Sequence, residues 1–136
     1  MKEIVAAKLQ EIYCRESRSF LMYLREASPW ASHADQALLV KLRSASVEQS
    51  EALEHLAKYF DAHRIPLPPG GGFPMNFTNF NFVAVRSLFP LLRADFEKGI
   101  GALEKDRETL PSGPAQQVVD ELLAVKRRQM SEFGSY

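Results

Sequence analysis

The sequence predicts an all-α protein built as a bundle of four long helices. Apolar residues recur at spacings of three and four through most of the 136 residues, which is the periodicity of amphipathic helices. Runs that alternate in polarity, as half-buried strands do, are nearly absent. Pro and Gly are concentrated in a few segments that divide the chain into four helical stretches. We expect one domain over residues 1–136, because a chain of this length can bury a core without disulfides or structural metal.

A short connection separates the first two predicted helices. The first covers about residues 2–27 and ends before Pro29, which cannot continue it. The second covers about residues 33–63. The pattern from Ser32 to Asp35 is typical of a capping box, in which a hydroxyl and a carboxylate cap the first free amides of a helix.

The last two predicted helices also follow each other closely. They cover about residues 79–110 and 115–133, separated by a Pro- and Gly-containing turn. Pro90 falls inside the third helix and should kink it or open its hydrogen-bond ladder. Since both connections are short, each pair of helices should form an antiparallel hairpin.

Residues 64–78 form the long irregular segment between the hairpins, and their prolines and glycines exclude a helix. A helix of about 30 residues spans about 45 Å, and roughly 15 extended residues cover a similar distance. The segment can therefore cross the length of the bundle and place the third helix parallel to the second. Two antiparallel hairpins joined by a long crossover form the predicted topology.

With this helix count, hairpin pairing and crossover, the chain resembles the ferritin-like superfamily over residues 2–133. The segment PPGGGFPMNFTNFNF is also similar to the crossover of small bacterial ferritin-like proteins of unassigned function. The resemblance implies a four-helix bundle with a centre in its core. Members with a working centre hold two metal ions with a Glu on each of two helices and a Glu-x-x-His on each of the other two.

The ligand set that the resemblance implies is largely missing from this sequence. The inner positions at matching depth are Glu16, Gln49, Asp95, Lys126 and Gln129. They contain no histidine and at most two carboxylates, and a lysine ammonium repels a metal ion. We therefore expect a degenerate, metal-free polar layer, in which Lys126 pairs with Glu16 or Asp95 and the glutamines satisfy the remaining donors and acceptors.

Two alternatives stay open for this centre. In the first, the protein retains iron, manganese or zinc on Glu16 and Asp95, with Glu51 and His55 as outside ligands, and has oxidase or storage chemistry. Glu51 and His55 are four residues apart on one helix and could hold zinc at the surface, although a solvated face explains them more simply. In the second, the bundle binds a small apolar ligand in its interior or under the crossover.

Aromatic side chains are concentrated at and beyond the crossover. Five of the nine phenylalanines lie between residues 73 and 89: Phe73, Phe77, Phe80, Phe82 and Phe89. Because each aromatic ring buries a large apolar area, we expect most of these side chains to be buried and to hold the crossover against the bundle. One or two remain for contact with a second copy of the chain, in a patch that Tyr23, Trp30 and Tyr59 could extend. The expected partner is thus a homodimer, with an unknown protein or small molecule as a further partner.

Charge and cysteine content restrict the function classes. The 17 basic and 17 acidic side chains give a net charge of zero, which lacks the basic surplus of a nucleic-acid binder or a membrane-surface protein. The single cysteine, Cys14, fits a reducing cytoplasm. Motifs for nucleophilic catalysis, zinc binding and phosphate binding are missing. We expect a non-catalytic structural or interaction module without a cofactor.

Overall fold

The computed structural model describes residues 2–25, 29–68, 73, 77 and 83–134, and this part of the chain is all-helical. The five α-helices are α1 (Lys2–Ser17), α2 (Phe20–Leu24), α3 (Gln36–Ala62), α4 (Val85–Thr109) and α5 (Pro114–Phe133). A 3-10 turn leads into α3. Extended pairing within the described residues is limited to one parallel bridge, between Trp30 and Ala84. The prediction of an all-α protein is confirmed.

The first predicted helix is in fact two helices, so the expectation of one continuous helix over residues 2–27 is wrong. Ser19 adopts an extended backbone between α1 and α2, and its Oγ accepts a hydrogen bond from Met22 N at 3.3 Å. Asp95 Oδ2 on α4 accepts from Phe20 N at 3.2 Å. These two side chains satisfy amides at the start of α2, which lets the chain leave the helix and restart it.

The predicted capping box before α3 does not form. Residues 33–35 make a 3-10 turn, and neither Ser32 nor Asp35 caps a helix amide through its side chain. The Asp35 carboxylate instead accepts hydrogen bonds from Arg86 on α4, the shorter being 2.7 Å from Nη2 to Oδ1. A pairing with a distant helix has replaced the local cap.

The start of α4 lies later than the sequence predicts. The expected residues 79–82 fall outside the described part of the chain, and α4 begins at Val85. Trp30 N donates to Val83 O at 3.0 Å and Val85 N donates to Trp30 O at 2.6 Å, so residues 83–84 run extended beside Trp30. Pro90 is accommodated inside α4 without ending it.

Contacts near both ends of the helices give their directions. The contacts are Lys41–Glu132 and His55–Glu121 for α3 with α5, Arg93–Phe133 and Arg107–Asp120 for α4 with α5, and Tyr13–Phe60 and Arg25–Ser50 for the first two helices with α3. In every pair the residue number rises on one helix as it falls on the other. Each of these pairs is therefore antiparallel, and α3 and α4 run in the same direction. None of the described helices has the length and apolar character needed to span a membrane.

Buried apolar side chains form two clusters that are separated along the helices. One cluster joins α2 to the first halves of α3 and α4 and to Phe133 at the end of α5. The other joins α1 to the second half of α3, the end of α4 and the start of α5, with Ile12 and Phe60 among its members. On α1, α3 and α5 the buried side chains between the two clusters are polar, and Glu16, Gln49, Lys126 and Gln129 among them form the centre described below.

Two of the expected crossover phenylalanines pack on α2. The Phe77 ring lies 5.1 Å from that of Phe20 and 5.5 Å from that of Tyr23, and the Phe73 ring lies 5.2 Å from that of Tyr23, measured between centroids. Tyr23 is only 8% exposed, so the expectation that it extends a surface patch is wrong. Trp30, by contrast, is 60% exposed. Phe80 and Phe82 lie outside the described residues.

Candidate functional site

Four of the five residues expected in the polar layer meet in the core. Glu16, Gln49, Lys126 and Gln129 are each at most 4% exposed. Lys126 Nζ lies 2.7 Å from Glu16 Oε2, and Gln49 Nε2 donates to Gln129 Oε1 at 2.9 Å. The layer thus contains an ion pair between α1 and α5 and an amide pair between α3 and α5.

Both the nitrogen and the oxygen of the Gln129 side-chain amide form hydrogen bonds. Its Nε2 donates to Ala45 O at 3.0 Å and to Glu48 Oε1 at 2.8 Å, while its Oε1 accepts from Gln49. Glu48 also binds Arg128, and this side-chain hydrogen bond raises the pKa of Arg128. Buried amides with satisfied donors and acceptors hold neighbouring helices in register, since a shift of one helix would leave them unpaired.

The ammonium of Lys126 occupies space that a glycine leaves open. A Cβ placed at Gly99 on α4 would lie 2.6 Å from Lys126 Nζ, which is closer than nonbonded atoms approach. At Gly101, two residues further on, a Cβ would meet nothing within 4 Å. Gly99 therefore allows the buried ion pair to fit between α1, α4 and α5.

A second group of charges extends from Glu16 along α1, and the sequence analysis missed it. Arg15 Nη2 lies 2.8 Å from Asp106 Oδ2 and 3.8 Å from Glu16 Oε1, and Lys8 Nζ lies 3.5 Å from Asp106 Oδ1. Asp106 is 7% exposed. Asp106 lies 11 residues after Asp95, which places both carboxylates on one face of α4. This spacing is the sequence feature from which the position of Asp106 could have been predicted.

Asp95 has a different role from the one expected. It is half-buried at the same depth, but its carboxylate accepts the Phe20 amide and thereby caps α2. Lys126 pairs with Glu16, the other carboxylate that the sequence offered. Asp95 is therefore a capping residue at the edge of the layer.

The side chains in this layer do not fit a metal centre of the kind that the resemblance implies. The one fully buried carboxylate, Glu16, is already bonded to a lysine ammonium, and amide side chains are weak ligands. At the surface, His55 Nδ1 lies 2.5 Å from Glu121 Oε1, and both side chains are well exposed. Across residues 2–25, 29–68, 73, 77 and 83–134, no three His, Cys, Asp or Glu side chains gather as a metal site requires.

Comparisons of the chain with protein-family models, with curated proteins and with solved structures find no match.

Proposed function

We propose that this protein is a ferritin-like four-helix bundle in which an ion pair occupies the place of a metal centre, and that it acts as a non-catalytic structural or interaction module. The observation that carries the proposal is the contact of 2.7 Å between Lys126 Nζ and Glu16 Oε2 in the core. An ammonium supplies positive charge between the helices, as a metal ion does in members with a working centre.

The helix directions support the ferritin-like topology. Since α3 and α4 run in the same direction, a ferritin-like protein would need a connection between them that crosses the length of the bundle. Gln10 Nε2 donates to Pro66 O at 2.8 Å, Phe77 packs on Phe20, and Val83 is bonded to Trp30. The described parts of this connection thus contact α1 first, then α2, then the residues after α2, as a crossover would.

The two alternatives have less support from the geometry. A residual metal protein would use Asp95 and His55, but Asp95 bonds the Phe20 amide and His55 pairs with Glu121. A small apolar ligand would need an enclosed space, whereas the cleft beside the layer opens to the surface and carries the charged side chains Arg15, Arg18 and Lys98 alongside its apolar wall.

Metal analysis of the purified protein tests this function. Protein expressed with excess iron and manganese should contain far less than one metal ion per chain by inductively coupled plasma mass spectrometry. The matched variant Lys126→Gln removes the ammonium and keeps a side chain of similar length. Metal in that variant alone would show that the lysine excludes it, whereas stoichiometric metal in the wild type would contradict the proposal.

We propose a second copy of the chain as the partner, in a cytoplasmic homodimer. Exposed apolar side chains support this, with Trp30 at 60%, Val40 at 64% and Val47 at 50% exposure. Val40 and Val47 are seven residues apart and share one face of α3. A monomeric mass at micromolar concentration in light scattering would contradict the homodimer.

A further inference from the structure

One face of α3 is exposed and apolar over the first half of the helix. Val40 and Val47 are 64% and 50% exposed, and Ala37 and Ser44 beside them are exposed as well. The four residues follow a spacing of three and four, so they form a single stripe along the helix. A groove of about 360 Å³ runs beside this stripe between α3 and α5, and charged side chains line the rest of it. Because Ala37 and Ser44 are small, another helix can approach the stripe closely.

The charges along this face change sign halfway along the helix. Residues 36–47 carry two basic side chains and no acidic one, whereas residues 48–56 carry three acidic side chains and no lysine or arginine. Arg43, Glu51 and Glu54 are exposed, and none of them forms an ion pair within the described part of the chain. The face therefore has a basic half and an acidic half, and both have charges available to a partner.

Charged groups on the neighbouring helices reduce this difference without removing it. Beside the acidic half, Arg128 on α5 binds the first of the three glutamates, and Arg25 at the end of α2 is hydrogen-bonded to α3. Beside the basic half, Lys41 donates to Glu132 O at 2.9 Å, and the Glu132 carboxylate lies 3.6 Å from Arg128. With these neighbours counted, the first half of the face keeps a positive charge and the second half a negative one.

We propose that this face of α3 binds the same face of a second copy of the chain, with the two helices antiparallel and the two-fold axis between Ser44 and Val47. The arrangement sets Val47 of one copy over the small Ser44 of the other. It also sets the basic half of each helix against the acidic half of the other, whereas parallel helices would bring like charges together. Lys58, beyond the acidic half, lies past the start of the other copy's α3. The inference rests on the homodimer proposed above and assigns its interface.

Cross-linking of single cysteines tests the face and the direction of the helices. Each variant carries Cys14→Ser, so that the introduced thiol is the only one. In the antiparallel pair the two copies of position 47 are about 4.5 Å apart along the helices, and those of position 40 about 16.5 Å, at about 1.5 Å per residue. A short bismaleimide should therefore link Val47→Cys chains at least about tenfold faster than Val40→Cys chains. Equal rates would mean parallel helices, and no cross-link at either position would place the interface elsewhere; each result overturns the inference.

An exchange of two charges tests the complementarity. Arg43→Glu sets like charges against each other at two symmetric positions and should weaken the dimer about tenfold or more in sedimentation equilibrium. Arg43→Glu combined with Glu51→Arg brings opposite charges together again and should restore most of the affinity. The control, Lys105→Glu, reverses an exposed charge on α4 and should leave the dimer unchanged. Weakening that the second substitution does not rescue would contradict the antiparallel pairing.

The same measurements separate this inference from the homodimer itself. A wild-type chain that remains monomeric at micromolar concentration contradicts both. A stable dimer that Arg43→Glu does not weaken, and that does not cross-link at position 47, leaves the homodimer standing and overturns the assignment of its interface to α3.

Discussion

Lys126 can be buried because two other residues accommodate its charge and its length. Glu16 supplies the opposite charge at 2.7 Å, and Gly99 leaves the volume that the ammonium fills. A buried ammonium is unfavourable unless both conditions are met, because desolvation is costly. The glycine is thus part of the centre, although it carries no side chain.

Substitution of the two helical glycines should have opposite effects on stability. Gly101→Ala should raise the free energy of unfolding by about 0.5–1 kcal/mol, because alanine favours the helix and its Cβ has room. Gly99→Ala gains the same helix propensity, but its Cβ would displace the Lys126 ammonium from Glu16. We therefore expect a net decrease in the free energy of unfolding of about 1–3 kcal/mol. Urea denaturation of both variants measures the difference. Equal stabilisation by the two substitutions would show that the ion pair moves aside freely.

At the scale of single residues, the sequence predicted burial better than it predicted partners. Glu16, Lys126 and Gln129 lie on the apolar stripes of their helices, so periodicity alone places them inside. The role of Asp95 as a capping residue could not be predicted from periodicity. Its partner is the Phe20 amide, 75 positions away in the chain, and that amide is free only because α1 ends before it. Tertiary contacts of this kind leave no local pattern.

At the scale of elements, the turn before α3 is tied to the start of α4. Arg86 donates hydrogen bonds to the Asp35 carboxylate, and these bonds hold the pKa of Asp35 below its usual value of 3.8. The same contact raises the pKa of Arg86. Since the folded pKa is lowered, the pair stabilises the protein above about pH 3.8 and is lost as the pH falls through the folded value.

Asp35→Asn should therefore be less stable than the wild type at pH 6, and the difference should disappear as the pH falls below 3.8. Urea denaturation at several pH values measures the difference. The control is Glu97→Gln, which removes an exposed carboxylate from the middle of α4 and should show no such convergence. A difference that persists at the lowest pH would mean that Asp35 acts through something other than its charge.

The break between α1 and α2 is a helix boundary that the sequence pattern does not predict. The chain is helical over Lys2–Ser17 and again over Phe20–Leu24, and the apolar periodicity continues through the break almost unchanged. A local signal does exist, because Ser19 precedes an apolar run as an N-cap residue does. It competes with a strong helical pattern, and the carboxylate of Asp95 decides the outcome.

At the scale of the whole molecule, the polar layer separates two apolar clusters. Along α1 and α2 it lies between Ile12 and Phe20, and on α5 between Leu123 and Phe133. The helix directions and the approximate bounds of α3 and α5 were predictable, because periodicity and loop lengths can be read directly from the sequence. The charges around Asp106 were not predicted, since they depend on which residues of α1 face α4.

We expect the polar layer to contribute more to the register of the helices than to the stability of the protein. Substitution of Lys126 and Glu16, singly and together, tests its contribution to stability. Lys126→Met leaves the Glu16 carboxylate buried without its partner and should lower the free energy of unfolding by about 3–5 kcal/mol. Adding Glu16→Met removes the remaining charge and joins the two clusters. The double variant should regain most or all of the wild-type stability, because apolar residues of similar volume replace buried ion pairs at little cost. Chemical denaturation of the two single variants and the double variant gives the coupling energy directly. If the losses from the single substitutions simply add in the double variant, then Glu16 and Lys126 are held independently, and the pair does not form the centre of this bundle.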